Sequence, residues 1–189
     1  MTTPSQNDRL EIWRYTYARL SLIDAMQGCE KLRGDRALTA DWKKTVVSHI
    51  VVSYARPFTK SQFTTNRREM PLHDDCVPPE KKEIHDTLLE MRNRAVGHKD
   101  ATAFSDTALN RVLVRAHGSF VDLHTVFPGD IEEQVLLGTI ELCKVLISHC
   151  ESAISPFIRA NLGGANRPAE GLYLLSTEEA PASWLKKTE

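Results

Sequence analysis

The segment Arg92-Asn93-Arg94-Ala95-Val96-Gly97-His98 combines an arginine, an amide and an imidazole where a strongly helical pattern ends. A guanidinium binds phosphate through two parallel hydrogen bonds, and histidine is the side chain whose ordinary pKa suits proton transfer near neutrality. Together these groups have the chemistry to bind and cleave a phosphodiester. A plain structural role also fits, with Arg92 paired to an acid of another helix and His98 placed at helix C-terminal carbonyls, where a cation is favourable.

The third helical pattern positions these groups. On a regular helix, residues seven apart nearly superpose, so His85 and Arg92 share an edge beside the apolar stripe. Arg92 at such a boundary is expected to need an anionic partner, and His85 is interpreted as a boundary histidine. A continuing helix would rotate His98 by about 240° from Arg92. Gly97 can redirect His98 back toward Arg92, or His98 meets the arginine of a second subunit.

Composition is that of an ordinary globular chain. The 189 residues, 41% hydrophobic and 26% charged, suffice for one domain with a core. No run approaches the roughly 20 apolar residues of a membrane span, and residues 1–8 lack the basic and apolar regions of a secretory signal. A cytoplasmic location without membrane attachment is therefore expected. The net charge of −1 argues against bulk coating of nucleic acid but leaves room for a local basic patch.

Metal and redox signals are weak. Cys29, Cys76, Cys143 and Cys150 show no CxxC spacing and are expected to be reduced, mostly buried thiols. The stretch His73-Asp74-Asp75-Cys76 has metal-ligating residue types without paired ligand spacing. Motifs for nucleotide hydrolysis, dinucleotide binding, zinc proteolysis and α/β-hydrolase chemistry are absent from the sequence. We expect neither a metal nor a cofactor.

Hydrophobic periodicity predicts a mainly α-helical fold. Periods of three and four indicate helices at about residues 8–32, 39–57, 79–97 and 131–159. The first has a predicted core stripe that begins with Trp13, Tyr17 and Leu20. Four aromatic residues are expected in the core, with stacking on nucleobases as the alternative: Trp13, Tyr17, Trp42 and Tyr54.

Two further segments interrupt or follow these helices. Alternation of apolar and polar residues predicts a small β-hairpin at about 111–127, inserted before the last helix. Residues 161–189 are rich in proline and small residues and are predicted to be an extended or partly disordered tail, although Trp184 and the apolar residues 172–175 are able to dock. The expected fold is thus a four- to five-helix bundle in residues 1–160, followed by this tail.

The segment around Arg92 resembles the motif of the HEPN superfamily, in which an arginine, a polar residue, a short spacer and a histidine end a helix of an all-α bundle. Arg92, Asn93 and His98 fill those three places. The surrounding string 84–100 and the helix end at 54–58 also resemble HEPN-type proteins of phage abortive infection and toxin systems. The predicted hairpin is not part of the minimal HEPN bundle.

The resemblance implies a metal-independent endoribonuclease. His98 would act as general base or acid toward a ribose 2′-hydroxyl that attacks the adjacent phosphate, Arg92 would stabilise the phosphate charge, and Asn93 would orient the imidazole or a phosphate oxygen. It also implies a homodimer whose two motif copies face each other. In a phage-defence or toxin system, an antitoxin or accessory protein would be a further partner.

A basic rim would guide RNA toward this site, although scattered loop cations are usually only solvated. Its predicted members are Arg56, Lys60, Arg67, Arg68 and Lys99. The alternative from a different class is a non-catalytic, dimeric helical module that binds a partner protein or nucleic acid through the same face. Burial of Arg92 against a carboxylate of its own chain would favour the module, and a solvent-accessible cleft lined by Arg92 and His98 would favour the enzyme.

Overall fold

The computed structural model describes residues 3–35, 37–59, 72–93, 131–178 and 181–188 with their side chains, and the backbone of 111–117 and 120–126. Within this part of the chain the fold is mainly helical with a small antiparallel hairpin, which confirms the predicted fold class. The helices are α1 (Gln6–Gly34), α2 (Ala40–Ala55), α3 (Lys82–Met91) and α4 (Glu133–Asn161). The strands are β1 (Arg111–His117), β2 (Phe120–Val126), β3 (Tyr173–Leu175) and β4 (Leu185–Lys187).

Local capping explains where the first two helices begin. Ser5 and Asp8 form a reciprocal capping box: the Ser5 Oγ accepts from the Asp8 N–H, and the Asp8 carboxylate accepts from the Ser5 N–H, both at 3.2 Å. Thr39 caps α2, as predicted, by accepting from the Trp42 N–H at 3.4 Å. Pro57 lies in the 3₁₀ turn Arg56–Phe58 that follows α2.

The core lies where α1 packs between α2 and α4, with α3 against α2 and α4. Its completely buried side chains include Leu22, Val51, Leu88, Leu142 and Leu146. None of the helices in the described segments is both long and apolar enough to cross a membrane.

The core face of α1 is not the predicted aromatic stripe. Trp13, Tyr17 and Leu20 are 43%, 55% and 48% exposed, and Trp42 on α2 is 62% exposed. Only Tyr54, among the four aromatic residues expected in the core, is buried there. The Trp13 and Tyr17 rings instead stack on each other outside the bundle, with centroids 4.3 Å apart.

The reason for this difference is the close approach of the helices. The buried face of α1 contains small residues such as Ala18, Ala25 and Gly28. A Cβ on Gly28 would lie 2.6 Å from Ile50 Cγ1 of α2, closer than two carbon atoms can pack. A seam this narrow has no room for indole and phenol rings, so these rings lie on the outer flank of α1.

The β1–β2 hairpin has the predicted position. The strands are antiparallel, with Arg111 opposite Val126 and His117 opposite Phe120. The hairpin lies between α3 and α4 in the chain, which is where the insertion was expected.

Residues after α4 dock on the bundle. β3 and β4 pair antiparallel, with Leu175 opposite Leu185. Trp184 is only 6% exposed, and its ring meets Phe157 of α4 edge-on at 6.2 Å. Trp184 therefore docks, as predicted, whereas Leu172 and Leu174 of the same predicted docking set are mostly exposed.

A buried arginine connects this segment to α1. Arg9 is 1% exposed. Its Nε donates to the Ser176 carbonyl at 2.8 Å, and its two terminal nitrogens donate to the carbonyls of Glu178 and Pro4. We call these three acceptors the carbonyl cage. Gln6 adds a hydrogen bond from its amide to the Thr177 carbonyl at 2.9 Å.

Candidate functional site

Arg92 lies at the C-terminal end of α3. Its backbone is helical (φ −61°, ψ −48°), and its N–H donates to the carbonyls of Leu88 and Leu89. The side chain is half-buried, and its Nη1 donates to the exposed Asn93 Oδ1 at 2.9 Å. The ion pairs found among the described residues do not include Arg92. Arg92 and Asn93, predicted as neighbours in one site, are therefore in direct contact.

Most of the other predicted site residues lie outside the described residues. These are His98 and the rim residues Lys60, Arg67, Arg68 and Lys99. Arg56 is described and is exposed in the turn after α2. The structure thus places Arg92, Asn93 and Arg56, and the geometry of the full motif stays a prediction.

A chain of hydrogen-bonded polar side chains is centred on His85, two turns before Arg92 on the same helix, and extends to the exposed Asp74. His85 is completely buried; its Nδ1 lies 2.7 Å from the Tyr54 hydroxyl oxygen, and its Nε2 lies 3.3 Å from Asp74 Oδ1. We call Tyr54, His85 and Asp74 the polar chain. The Phe58 ring packs edge-on against the His85 ring at 4.7 Å.

The polar chain fixes one tautomer of His85. The buried Tyr54 hydroxyl donates its proton to Nδ1, because neutral imidazole has one acceptor nitrogen and the Asp74 carboxylate can only accept. The ring proton therefore lies on Nε2, where it faces Asp74. In this arrangement each side-chain polar atom of the polar chain has a hydrogen-bond partner. Buried polar groups can be accommodated without a large cost in free energy only when they are paired in this way.

Lys82 keeps Asp74 ionised, and burial keeps His85 neutral. Lys82 donates to Asp74 at 3.1 Å and also pairs with Asp86 at 3.3 Å. The hydrogen bond from Lys82 holds the pKa of Asp74 below its usual value. Burial, reinforced by the Lys82 charge, lowers the pKa of His85, and burial raises the pKa of Tyr54.

The polar chain was not predicted from the sequence. His85 was predicted at the edge of the apolar stripe but is completely buried, enclosed by α2, the turn at 74–76 and its own helix. The spacing of seven residues correctly placed His85 on the same side of α3 as Arg92. The spacing of Tyr54 and Asp74 gave no indication that they would bond to His85, because the three residues come from separate elements.

The thiols have no reactive environment. All four cysteines are free; Cys29, Cys143 and Cys150 are buried and Cys76 is half-buried, which confirms the prediction of mostly buried thiols. Burial raises the pKa of Cys29 to about 12 and that of Cys150 to about 11. These thiols are therefore protonated near neutral pH and are poor nucleophiles. The described residues contain no group of three or more potential metal ligands.

Comparisons with known proteins do not add a family to this geometry. No protein-family model, no curated protein and no solved structure matches the chain. Its function is accordingly inferred from the chemistry of Arg92, Asn93 and the polar groups near them.

The buried neutral His85 predicts a pH-dependent stability. Its folded pKa lies below the value of about 6.5 that it has in the unfolded chain. Between these two values the unfolded chain binds a proton that the folded chain does not, so the free energy of unfolding falls as pH drops below about 6.5, by at most about 1.4 kcal/mol per pH unit. Urea denaturation between about pH 5 and pH 8 measures this slope.

The matched variant is His85→Gln, which removes the titrating group but places an amide near Nε2. We expect a shallower pH dependence in this variant over that range. Equal slopes in the two proteins would contradict a neutral, buried His85. The lowered pKa of Asp74 acts in a separate window, because its stabilising effect is lost only as pH falls through that lower folded value.

Proposed function

We propose that this chain is a HEPN-like, metal-independent endoribonuclease whose site consists of Arg92, Asn93 and His98. The observation that supports this function is the environment of Arg92. Its guanidinium is half-buried at the end of α3, is held by Asn93 Oδ1 at 2.9 Å and belongs to none of the ion pairs among the described residues. An arginine used only for structure at such a boundary would be expected to face a carboxylate.

The chemistry of Arg92 suits a phosphate ligand. A guanidinium has five N–H donors, and the contact with Asn93 uses one of them. The remaining donors include a pair that matches two oxygens of one phosphate. Among the described residues no carboxylate pairs with Arg92, which supports a phosphate as the ligand of its charge.

The proposed reaction is an internal transesterification. His98 accepts the proton of the ribose 2′-hydroxyl, the 2′-oxygen forms a bond to the adjacent phosphorus, and the bond from phosphorus to the 5′-oxygen breaks. The leaving 5′-oxygen takes up a proton from a general acid, the role of a second His98 or of water. The products are a 2′,3′-cyclic phosphate and a 5′-hydroxyl. Arg92 stabilises the charge that develops on the phosphate.

The proposal includes the homodimer that the resemblance implies, in which two copies of the motif face each other. Arg56 on the turn after α2 belongs to the proposed rim that guides RNA. A cytoplasmic role in phage defence or in a toxin system, with an antitoxin or accessory protein as partner, belongs to the same proposal.

A non-catalytic, dimeric interaction module is the second candidate. The observation that favours it is the outer flank of α1, where Trp13, Tyr17 and Leu20 are each more than 40% exposed. Grouped exposed apolar side chains often mark a docking surface. A module of this kind would bind a partner protein or nucleic acid without cleaving RNA.

The deciding experiment incubates the purified full chain with single-stranded RNA and with transfer RNA in excess EDTA. The endoribonuclease proposal expects cleavage that leaves 2′,3′-cyclic phosphate ends, because the nucleophile belongs to the substrate. A matched substrate with a 2′-deoxyribose at the cleaved position should remain intact. RNA that stays intact across a broad range of protein concentration and pH would contradict the enzyme and favour the module.

A further inference from the structure

The direction of the Arg92 side chain depends on what holds α3 in place. α3 has ten residues and is therefore about 15 Å long. Helices of this length are marginal on their own, so packing must stabilise them. The apolar anchors of α3 are Leu88, Met91 and Ile84, whose side chain occupies the space that a Cβ on Gly138 of α4 would take.

Apolar packing defines the roll of a short helix about its axis less sharply than hydrogen bonds do. The hydrophobic effect is non-directional, and the roll of α3 is opposed sterically by the Ile84 side chain against Gly138. Hydrogen bonds are directional and weaken steeply away from a straight donor geometry. Polar contacts therefore add to the definition of the roll of α3.

His85 supplies such contacts in two directions. Its Nδ1 bonds to Tyr54 at the end of α2, and its Nε2 bonds to Asp74 in the turn before α3. The Tyr54 hydroxyl and the Asp74 carboxylate belong to different segments. The Phe58 ring covers one side of the His85 ring, with the two ring centroids 4.7 Å apart. A roll of α3 in either direction would lengthen at least one of the two bonds, of which the bond to Tyr54 is buried and the bond to the exposed Asp74 carboxylate is part-buried.

Helix geometry transmits this constraint to Arg92. Residues seven apart differ by only about 20° in direction and lie about 10 Å apart along the axis. The roll that His85 sets is therefore the roll that Arg92 adopts. The Arg92 N–H is bonded to the carbonyls of Leu88 and Leu89, so the helical path between the two residues is continuous.

We propose that His85 is a positioning residue for Arg92: its bonds to Tyr54 and Asp74 fix the roll of α3 and so aim the guanidinium at its phosphate. The catalytic meaning of this inference rests on the proposed endoribonuclease function. The positional part, that the polar chain fixes the roll of α3, does not.

The test uses Tyr54→Phe, which removes one hydroxyl and keeps the ring. We expect amide exchange across α3, including Arg92, to become about tenfold faster, because a helix whose roll is no longer fixed by the Tyr54 contact unpacks more often. We expect kcat for RNA cleavage to fall roughly 10- to 100-fold with KM little changed, because a misdirected phosphate ligand affects the transition state most. His85→Gln keeps an amide near Asp74, so its kcat and its amide exchange rate should lie between those of the wild type and those of His85→Ala.

The control is Val47→Ala, which shortens a completely buried side chain of α2 outside the polar chain. It is compared with Tyr54→Phe at denaturant concentrations that give equal global stability. Equal exchange at Arg92 in the two variants would overturn the inference, whether or not the wild type cleaves RNA. Faster exchange with unchanged kcat in an active enzyme would also overturn it. Faster exchange in a chain that cleaves no RNA would support the positional role while the enzymatic proposal fails.

Discussion

His98→Ala is expected to lower the rate of RNA cleavage by about 10²–10⁴-fold, the usual contribution of a general acid or base. Arg92→Ala should lower it by about 10²–10³-fold, because the group that stabilises the developing phosphate charge is lost. Both losses should appear mainly in kcat, since each group acts on charge or protons that change during the reaction. Single-turnover cleavage of a short labelled RNA measures them.

Two further variants make these losses specific. Arg92→Lys keeps the charge but not the paired donors, so its activity should lie between Arg92→Ala and the wild type. His49→Ala replaces an exposed histidine of α2 that is not part of the proposed site and should keep full activity. Wild-type activity in His98→Ala, or an equal loss in His49→Ala, would be incompatible with the proposed mechanism.

Arg9→Met is expected to give the largest loss of stability among the variants considered for the described residues. The methionine keeps the length of the side chain but leaves the three oxygens of the carbonyl cage without a donor. Hydrogen bonds to a charged group contribute about 1.5–3 kcal/mol each. Because the released segment regains water, we expect a net loss of about 3 kcal/mol. Amide exchange should rise first in residues 172–188, while the helical core stays protected.

Tryptophan fluorescence gives a second measurement of this release. Trp13 and Trp42 are already exposed, so a red shift in Arg9→Met would report mainly on Trp184, which is 6% exposed. The control is Arg33→Ala on the same helix, which removes an exposed ion pair with Glu133 and should cost less than about 1 kcal/mol. Unchanged exchange in residues 172–188 of Arg9→Met would show that the carbonyl cage does not hold this segment.

The fold class was predictable because periodicity is a strong signal in long elements. The hairpin followed from alternation at 111–127, and the start of α2 followed from Thr39. The buried face of α1 was not predictable in the same way. Residues 18, 22, 25 and 29 repeat with the spacing of an amphipathic helix, and so do residues 13, 17 and 20. Side-chain size favoured the aromatic set, whereas the close helix packing requires the small one.

The candidate site was predictable only where its parts are local. Arg92 and Asn93 are adjacent in the sequence, so their contact needed no knowledge of the tertiary fold. His85 depends on Tyr54, 31 positions away, and on Asp74 in another turn. Arg9 is satisfied by main-chain carbonyls, which every residue has, so no residue type could have indicated its partners.

The carbonyl cage also sets an order of events during synthesis. Arg9 and Ser176 are 167 positions apart, so at roughly 5–20 residues per second the ribosome makes the acceptor about ten to thirty seconds after the arginine. Throughout that interval the guanidinium must stay hydrated, and α1 can assemble only with the helices already made. Closure of the cage is therefore a late step, and a chain that ends before Ser176 would have α1 with the Arg9 charge still in water.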